Sequence, residues 1–245
     1  MRGMDETRDK ATGKEAPASR KGAKTLIEFA YKGLRKDIIS GDLAPNSKLR
    51  IEHLRAKYGI GSSTLREALT LLVADALVIS EGQRGFKVAP ISLADLKDVT
   101  RLRKLIETMA LMEAIDNGDD QWEAGIVAAF HRLSLVEERL YSDTKLFAEE
   151  WEERNNAFHQ ALIAACPSRW ILHFREILYH QSERYRRFSL VAPSNSRNVH
   201  LEHKAIMEAT LKHDKERASL LLDAHMERTL VRLTSLLADT LPARS

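Results

Sequence analysis

Apolar positions recur with a helical period from about Thr25 to Ile39, where Leu26, Phe29, Ala30, Leu34, Ile38 and Ile39 form one broad stripe. Ser40-Gly41-Asp42 ends that run, and Pro45-Asn46-Ser47 supplies a turn. A second helical run covers about Ile51 to Tyr58, and Gly59-Ile60-Gly61 separates it from a third that reaches about Ala74. Ser62 or Ser63 is the predicted cap of the third helix. Val78-Ile79-Ser80 and Phe86-Lys87-Val88 read as two short strands, with Gly82 and Gly85 easing the turn between them.

Beyond Pro90 and Ser92, which mark a linker, every periodic segment is helical. Helices are predicted over about 94–116, 121–141, 144–166, 168–189, 198–212 and 214–240, with Ser92 capping the first of them. The predicted fold is therefore mainly α. Residues 1–24 read as a flexible tail, 25–90 as a winged helix-turn-helix with a small β-hairpin wing, 91–94 as a linker, and 95–240 as an all-α helical bundle.

Charge follows the same division. Residues 1–90 carry 17 Lys/Arg against 11 acids, and residues 91–245 carry 21 against 24. A basic front and an acidic back are what a protein that meets phosphates only with its front would have. No apolar run approaches the roughly 18 residues of a membrane span. Cys166 is the single cysteine, so an internal disulfide is excluded and a reducing cytoplasm is the expected location.

A helix of this kind reads bases with its first turn, while nearby cationic and hydroxyl groups hold phosphates. Ser62, Ser63, Thr64 and Arg66 are the first-turn candidates for DNA contact, and Arg50 and Arg84 the flanking ones. Leu65, Ala68, Leu69 and Leu72 occupy the opposite, core face.

In the bundle, Asn155 and His159 are spaced i, i+4 on one helix face, while His203 and His225 lie on two later helices. Three neutral imidazoles suit a divalent ion such as Zn²⁺ or Ni²⁺, with a coordination position left open. Spacing alone also fits ordinary core histidines. Arg103 is either a pocket cation able to pair with a carboxylate or half of a surface salt bridge with Glu107. Arg184 and Tyr185 are further pocket candidates. No His-Glu-x-x-His motif accompanies the histidines, so a metal-dependent enzyme is disfavoured.

Ile39-Ser40-Gly41-Asp42-Leu43-Ala44-Pro45, Leu65-Arg66-Glu67-Ala68-Leu69 and Gly85-Phe86-Lys87-Val88 together resemble the GntR family of transcription regulators, in its FadR/FCD subfamily. The resemblance spans roughly residues 25–240. It implies a homodimeric regulator, most often a repressor, that binds a palindromic operator and is released by a small carboxylate effector. By analogy the regulated genes serve carboxylic-acid or amino-acid catabolism. It also implies metal ligation by His159, His203 and His225 together with position 155. Asn155 stands where the family usually has Asp, which removes one negative charge. Ser62 stands where the family often has a base-reading arginine, so the operator is expected to differ from those of relatives. The alternative reading is a regulator for which the ion itself is the signal.

Overall fold

The computed structural model describes residues 25–140, 144–190 and 198–240. The predicted tail, residues 1–24, lies outside the described residues.

Helix α1 (Leu26–Ser40) starts where the Thr25 hydroxyl accepts the Glu28 amide, and it stops at Gly41. Strand β1 (Lys48–Leu49), α2 (Ile51–Tyr58) and α3 (Ser62–Ala74) follow. The α2–α3 turn begins at Gly59 with φ +65°, a left-handed conformation that a side chain disfavours. Strands β2 (Val78–Ser80) and β3 (Phe86–Val88) close the domain. All three strands form one antiparallel sheet of order β1-β3-β2, so the predicted hairpin has gained a third strand. Two residues are too short to show a period-2 pattern, which is why β1 escapes sequence reading. A single 3-10 turn, Gly82–Arg84, joins β2 to β3.

The predicted serine cap of α3 is absent. Gly61 occupies the cap position with no side-chain bond, and Ser62 is already the first helical residue. The core beneath is purely aliphatic in its buried members, with Leu34, Leu65, Leu69, Leu72 and Val88 at zero exposure.

The bundle comprises α4 (Leu93–Asn117), α5 (Asp120–Leu140), α6 (Thr144–Leu162), α7 (Arg169–Leu190), α8 (Val199–Leu211) and α9 (Lys215–Thr240). Ser92 caps α4 as expected, accepting the Asp95 amide at 3.1 Å. Helix α6 ends four residues before its predicted limit, in consecutive turns over 163–165. Gly118 makes the α4–α5 corner possible, because a Cβ there would stand 1.9 Å from the Trp122 ring. Trp122 in turn donates its indole N–H to the Ala161 carbonyl at 2.9 Å, pinning α5 to the end of α6. Helix α4 packs on α7 and α9, and α8 lies across α5 and α9. These contacts bring polar positions of all six helices into one interior.

Candidate functional site: a DNA-facing surface and a buried histidine–arginine cluster

On the front domain, Arg50, Ser63, Arg66 and Arg84 are exposed, and Ser62 and Thr64 are partly so. Arg50 leads α2 directly after β1, while β1 itself is paired with the wing strand β3 through Lys48 opposite Lys87. The fold thus joins the base of the wing to the start of α2. A shallow groove of about 510 Å³ runs beside the α2–α3 turn, lined by Glu52, Arg55, Ala56 and Gly59–Gly61. Arg55 is exposed there and was not singled out from sequence, where it reads as one more charge on a solvated face. Lys57, by contrast, is taken up by Asp37 at 2.5 Å.

In the bundle, His159 from α6, His203 from α8 and His225 from α9 converge, all buried. One nitrogen from each ring lies within 4.8 Å of the others. Tetrahedral Zn²⁺ places its nitrogens roughly 3.3 Å apart, given bonds of about 2.0–2.1 Å, so a modest closure of the rings meets that geometry. Two carboxylates orient the rings from outside. Glu137 of α5 meets His203 Nδ1 at 3.3 Å, and Glu202 meets His225 Nδ1 at 2.9 Å. Such outer partners fix the tautomer and leave Nε2 for an ion. His203 Nε2 is buried with no hydrogen-bond partner, a costly state unless something binds it. Burial, with the neighbouring imidazoles His225 and His203, holds the His159 pKa well below its usual value, so the ring is neutral and its lone pair free to ligate. Asn155, one turn before His159 on α6, is buried and donates its amide N–H to Tyr179 Oη at 3.3 Å, so its carbonyl oxygen is the atom it could offer an ion. This donor set fits a divalent cation.

A second cluster adjoins the first. Arg175, Tyr179, Ser182 and Arg186 lie on one stripe of α7 at spacings of four, three and four. Arg103 of α4 donates from Nε to Glu107 at 2.7 Å and from Nη1 to Ser182 Oγ at 2.7 Å. Both members of the Arg103–Glu107 pair are buried, so the alternative of a surface salt bridge fails. Arg186 pairs with Glu152 of α6 and donates to Ser182 at 2.5 Å. Burial alone would raise the Glu107 carboxyl, but Arg103 and Arg175 outweigh it and hold the pKa below the usual range. Arg186 does the same for Glu152.

Arg175 is different. Its Nη1 donates to Asn156 at 3.1 Å, while Nε stands 3.9 Å from Glu107, beyond hydrogen-bond reach. Nε and Nη2 are both buried without a hydrogen-bond partner. The guanidinium is close enough to His159 to contribute to that ring's depressed pKa. Sequence reading passed over Arg175. The available signal was its place on the polar stripe with Tyr179, Ser182 and Arg186, inside a helix whose other positions had to pack.

Arg184 and Tyr185, expected at this pocket, are elsewhere. Arg184 donates to the main-chain carbonyls of Ala89 at 2.6 Å and Pro90 at 3.3 Å. Tyr185 donates to Asp95 at 2.5 Å and accepts from the Ser92 amide at 3.4 Å. The reason is helical phase: measured against the common direction of Arg175, Tyr179, Ser182 and Arg186, Arg184 points to roughly the opposite side of α7 and Tyr185 about a quarter-turn away, so both meet the linker. Neighbouring residues continue the grip. Glu183 pairs with Arg35 of α1 at 2.8 Å, and Gln181 donates to the Asp75 carbonyl at the end of α3. One face of α7 thus belongs to the buried cluster, and the other holds the front domain.

A winged helix-turn-helix carried on a helical bundle is the architecture of a DNA-binding transcriptional regulator. Residues 26–88 match the family described as bacterial regulatory proteins, gntR family, and residues 98–228 match the FCD domain. The chain is 43% identical over 222 residues to the uncharacterized HTH-type transcriptional regulator BphR of Paraburkholderia xenovorans, covering 91% of each chain. It is 38% identical over 200 residues to the HTH-type transcriptional repressor GlaR of Escherichia coli, covering 80% of this chain and 90% of that one. The solved structure of E. coli McbR/YncC shares the fold, with a TM-score of 0.71 at 20% identity over 87% of this chain and 99% of the other. The protein belongs to the GntR family of regulators and carries an FCD domain.

Proposed function

We propose that this regulator is a repressor that binds a palindromic operator as a homodimer in the cytoplasm and leaves it when a small carboxylate enters the bundle. In this reading Ser63, Thr64 and Arg66 reach base edges from the first turn of α3, with Ser62 beside them. Arg50, Arg55 and Arg84 hold phosphates around it. A lone winged helix meets too few base pairs for tight binding, so two copies related by a two-fold axis are required. The repressor sense follows GlaR, which is named a repressor. Carboxylic-acid or amino-acid catabolism is the proposed theme of the regulated genes.

In the bundle, His159, His203, His225 and the Asn155 carbonyl would hold a divalent ion, Zn²⁺ or Ni²⁺, which supplies a positive Lewis-acid centre for one carboxylate oxygen. Arg175 supplies the fixed guanidinium for the other end of the anion, and Arg103 adds a second positive charge. The observation that carries this reading is a buried three-imidazole cluster beside a buried guanidinium whose Nε and Nη2 have no hydrogen-bond partner. Satisfying those donors makes the anion worth binding in an interior where an unmatched cation is costly.

The path back to DNA is short. Ser182 receives both Arg103 and Arg186, and Gln181, Glu183, Arg184 and Tyr185 hold α1, the end of α3 and the linker. An anion that draws Arg175 and Arg103 towards it acts on α7, and α7 sets where the recognition helix sits. Only unequal affinity for the two placements can drive the change.

Calorimetry tests the sensor half. Metal-free protein is titrated with Zn²⁺ or Ni²⁺ and then with a panel of small carboxylic acids. One saturable ion site and one saturable acid site are expected, the first lost in His203→Ala and the second in Arg175→Met. Acid binding unaffected by Arg175→Met would overturn the anchoring role.

A further inference from the structure

We propose that His200 and Glu137 form the port through which a divalent cation enters and leaves the three-histidine site, with His200 Nε2 as its first ligand. The proposal rests on the metal reading above and says how a buried site is loaded.

The site needs a port. His159, His203 and His225 are 3%, 0% and 8% exposed, and His203 Nε2 is wholly buried. A dication stripped of water cannot cross an apolar interior, so side chains must replace its hydration in steps. His200 stands in the first turn of α8, three residues before His203, and its side chain is 36% exposed. Its Nδ1 meets Glu137 Oε2 at 2.8 Å, which leaves Nε2 as the ligating atom. The other oxygen of that carboxylate, Oε1, meets His203 Nδ1 at 3.3 Å. One carboxylate therefore touches a solvent-facing imidazole and a buried one. Around it the walls are aromatic. The His200 ring lies 5.3 Å from Phe130, Phe130 lies 5.8 Å from Phe158, and Phe158 lies 5.2 Å from His203, centroid to centroid. Phenyl rings offer no ligand, so Glu137 is the anionic step between surface and site.

Charge decides between this approach and two others. Towards α9, Glu202 meets His225 Nδ1 at 2.9 Å, but the exposed cation Arg228 stands 3.6 Å from the same carboxylate. Towards α4 and α7 stand Arg103 and Arg175. Their guanidiniums lie 5.5 and 4.5 Å from the Tyr179 ring, whose hydroxyl accepts from Asn155. Both of those sides repel a dication, and the second attracts an anion. Glu137, by contrast, is paired with the two histidines and with no Lys or Arg among the described residues. The cation and the anion thus come in by different sides.

Stopped-flow loading of the metal-free full chain tests the port. Zn²⁺ is delivered from a weak chromophoric chelator, release is followed into excess EDTA, and calorimetry gives the dissociation constant. In His200→Ala, loading and release are both expected to slow about tenfold or more while the dissociation constant moves less than about threefold, because a port speeds arrival and departure alike. His200→Asp restores an exposed ligand and is expected to recover most of the loading rate, whereas Arg228→Ala leaves that rate nearly unchanged. A dissociation constant that weakens in step with faster release in His200→Ala would make His200 a support for Glu137 and overturn the port. Loading that speeds up about tenfold in Arg228→Ala would move the entrance to Glu202 and overturn it as well. A wild type that loads Zn²⁺ at the same rate as His200→Ala would remove the port and leave the metal reading standing. A wild type that binds no Zn²⁺ would defeat that reading itself, and the port with it.

Discussion

The two domains differ in what they bury beside their apolar cores. Among the described residues, the buried polar and charged side chains all lie beyond residue 99, inside the bundle. The winged helix buries only apolar side chains and keeps its chemistry on the surface, whereas the bundle places arginines, glutamates and histidines in its interior. The difference reflects what each domain meets. A DNA helix is bound from outside, by charges that stay hydrated until contact. In the proposed function the bundle binds a small anion from all sides, so the anion's partners must already be inside, held in place by each other at a cost in stability.

The largest expected effect comes from breaking an interior pair. Glu152→Ala strands the buried Arg186 and is expected to destabilise the protein by about 3–5 kcal/mol in denaturant unfolding. Glu152→Leu/Arg186→Met removes both charges and is expected to recover most of that loss. Failure to recover would mean that the pair contributes more than mutual neutralisation.

The counterpart in the front domain is Leu72→Ala. It leaves an apolar cavity among Leu34, Leu65 and Leu69 and is expected to cost about 3 kcal/mol. No charge compensates or aggravates it, so its cost in denaturant unfolding is expected to be the same at pH 6 and pH 8.

Surface chemistry has smaller effects. Arg66→Ala is expected to weaken operator binding by about 1–3 kcal/mol and relax preference at one base position, while Arg84→Ala weakens all sequences alike and lowers the salt slope by about one. Competition binding to selected and scrambled DNA at several salt concentrations separates the two.

Legibility followed the same division. The front domain was readable almost whole, because apolar periodicity and the glycines at positions 41, 59, 82 and 85 determine its elements. What failed there was small: β1 is too short for a pattern, and Ser62 entered α3 instead of capping it. In the bundle the helices were readable, and so were the convergence of His159, His203 and His225 and the interior position of Arg103. The α7 residues were not, since Arg184-Tyr185 and Arg186 look alike in sequence and only helical phase separates linker from cluster. Arg175 was missed because an interior arginine and a surface one share the same letter. Glu137 and Glu202 were missed because their part is to orient histidines far from them in the chain.

The smallest expected effect concerns the junction. His180 lies between the domains, and burial together with Arg35, Arg175 and Arg186 pushes its pKa down to about 3. The folded state keeps the ring neutral while the unfolded chain protonates near its ordinary value of about 6.5. Stability is therefore full above that value and falls as pH drops below it towards 3. The loss is expected to be about 1 kcal/mol between pH 7.5 and 5.5, and His180→Gln should flatten that part of the profile. An unchanged profile in the variant would place the acid sensitivity elsewhere.

The central claim is that an anion held inside the bundle controls what the front domain does outside. The direct measurement is fluorescence anisotropy of a labelled operator, obtained by in vitro selection, titrated with metal-loaded protein in the presence and absence of small carboxylic acids. For the wild type, one class of acid is expected to weaken DNA binding by about tenfold or more, and Arg175→Met is expected to bind DNA normally but lose that response. Wild-type affinity unmoved by every acid, or a variant that responds as the wild type does, would contradict the account.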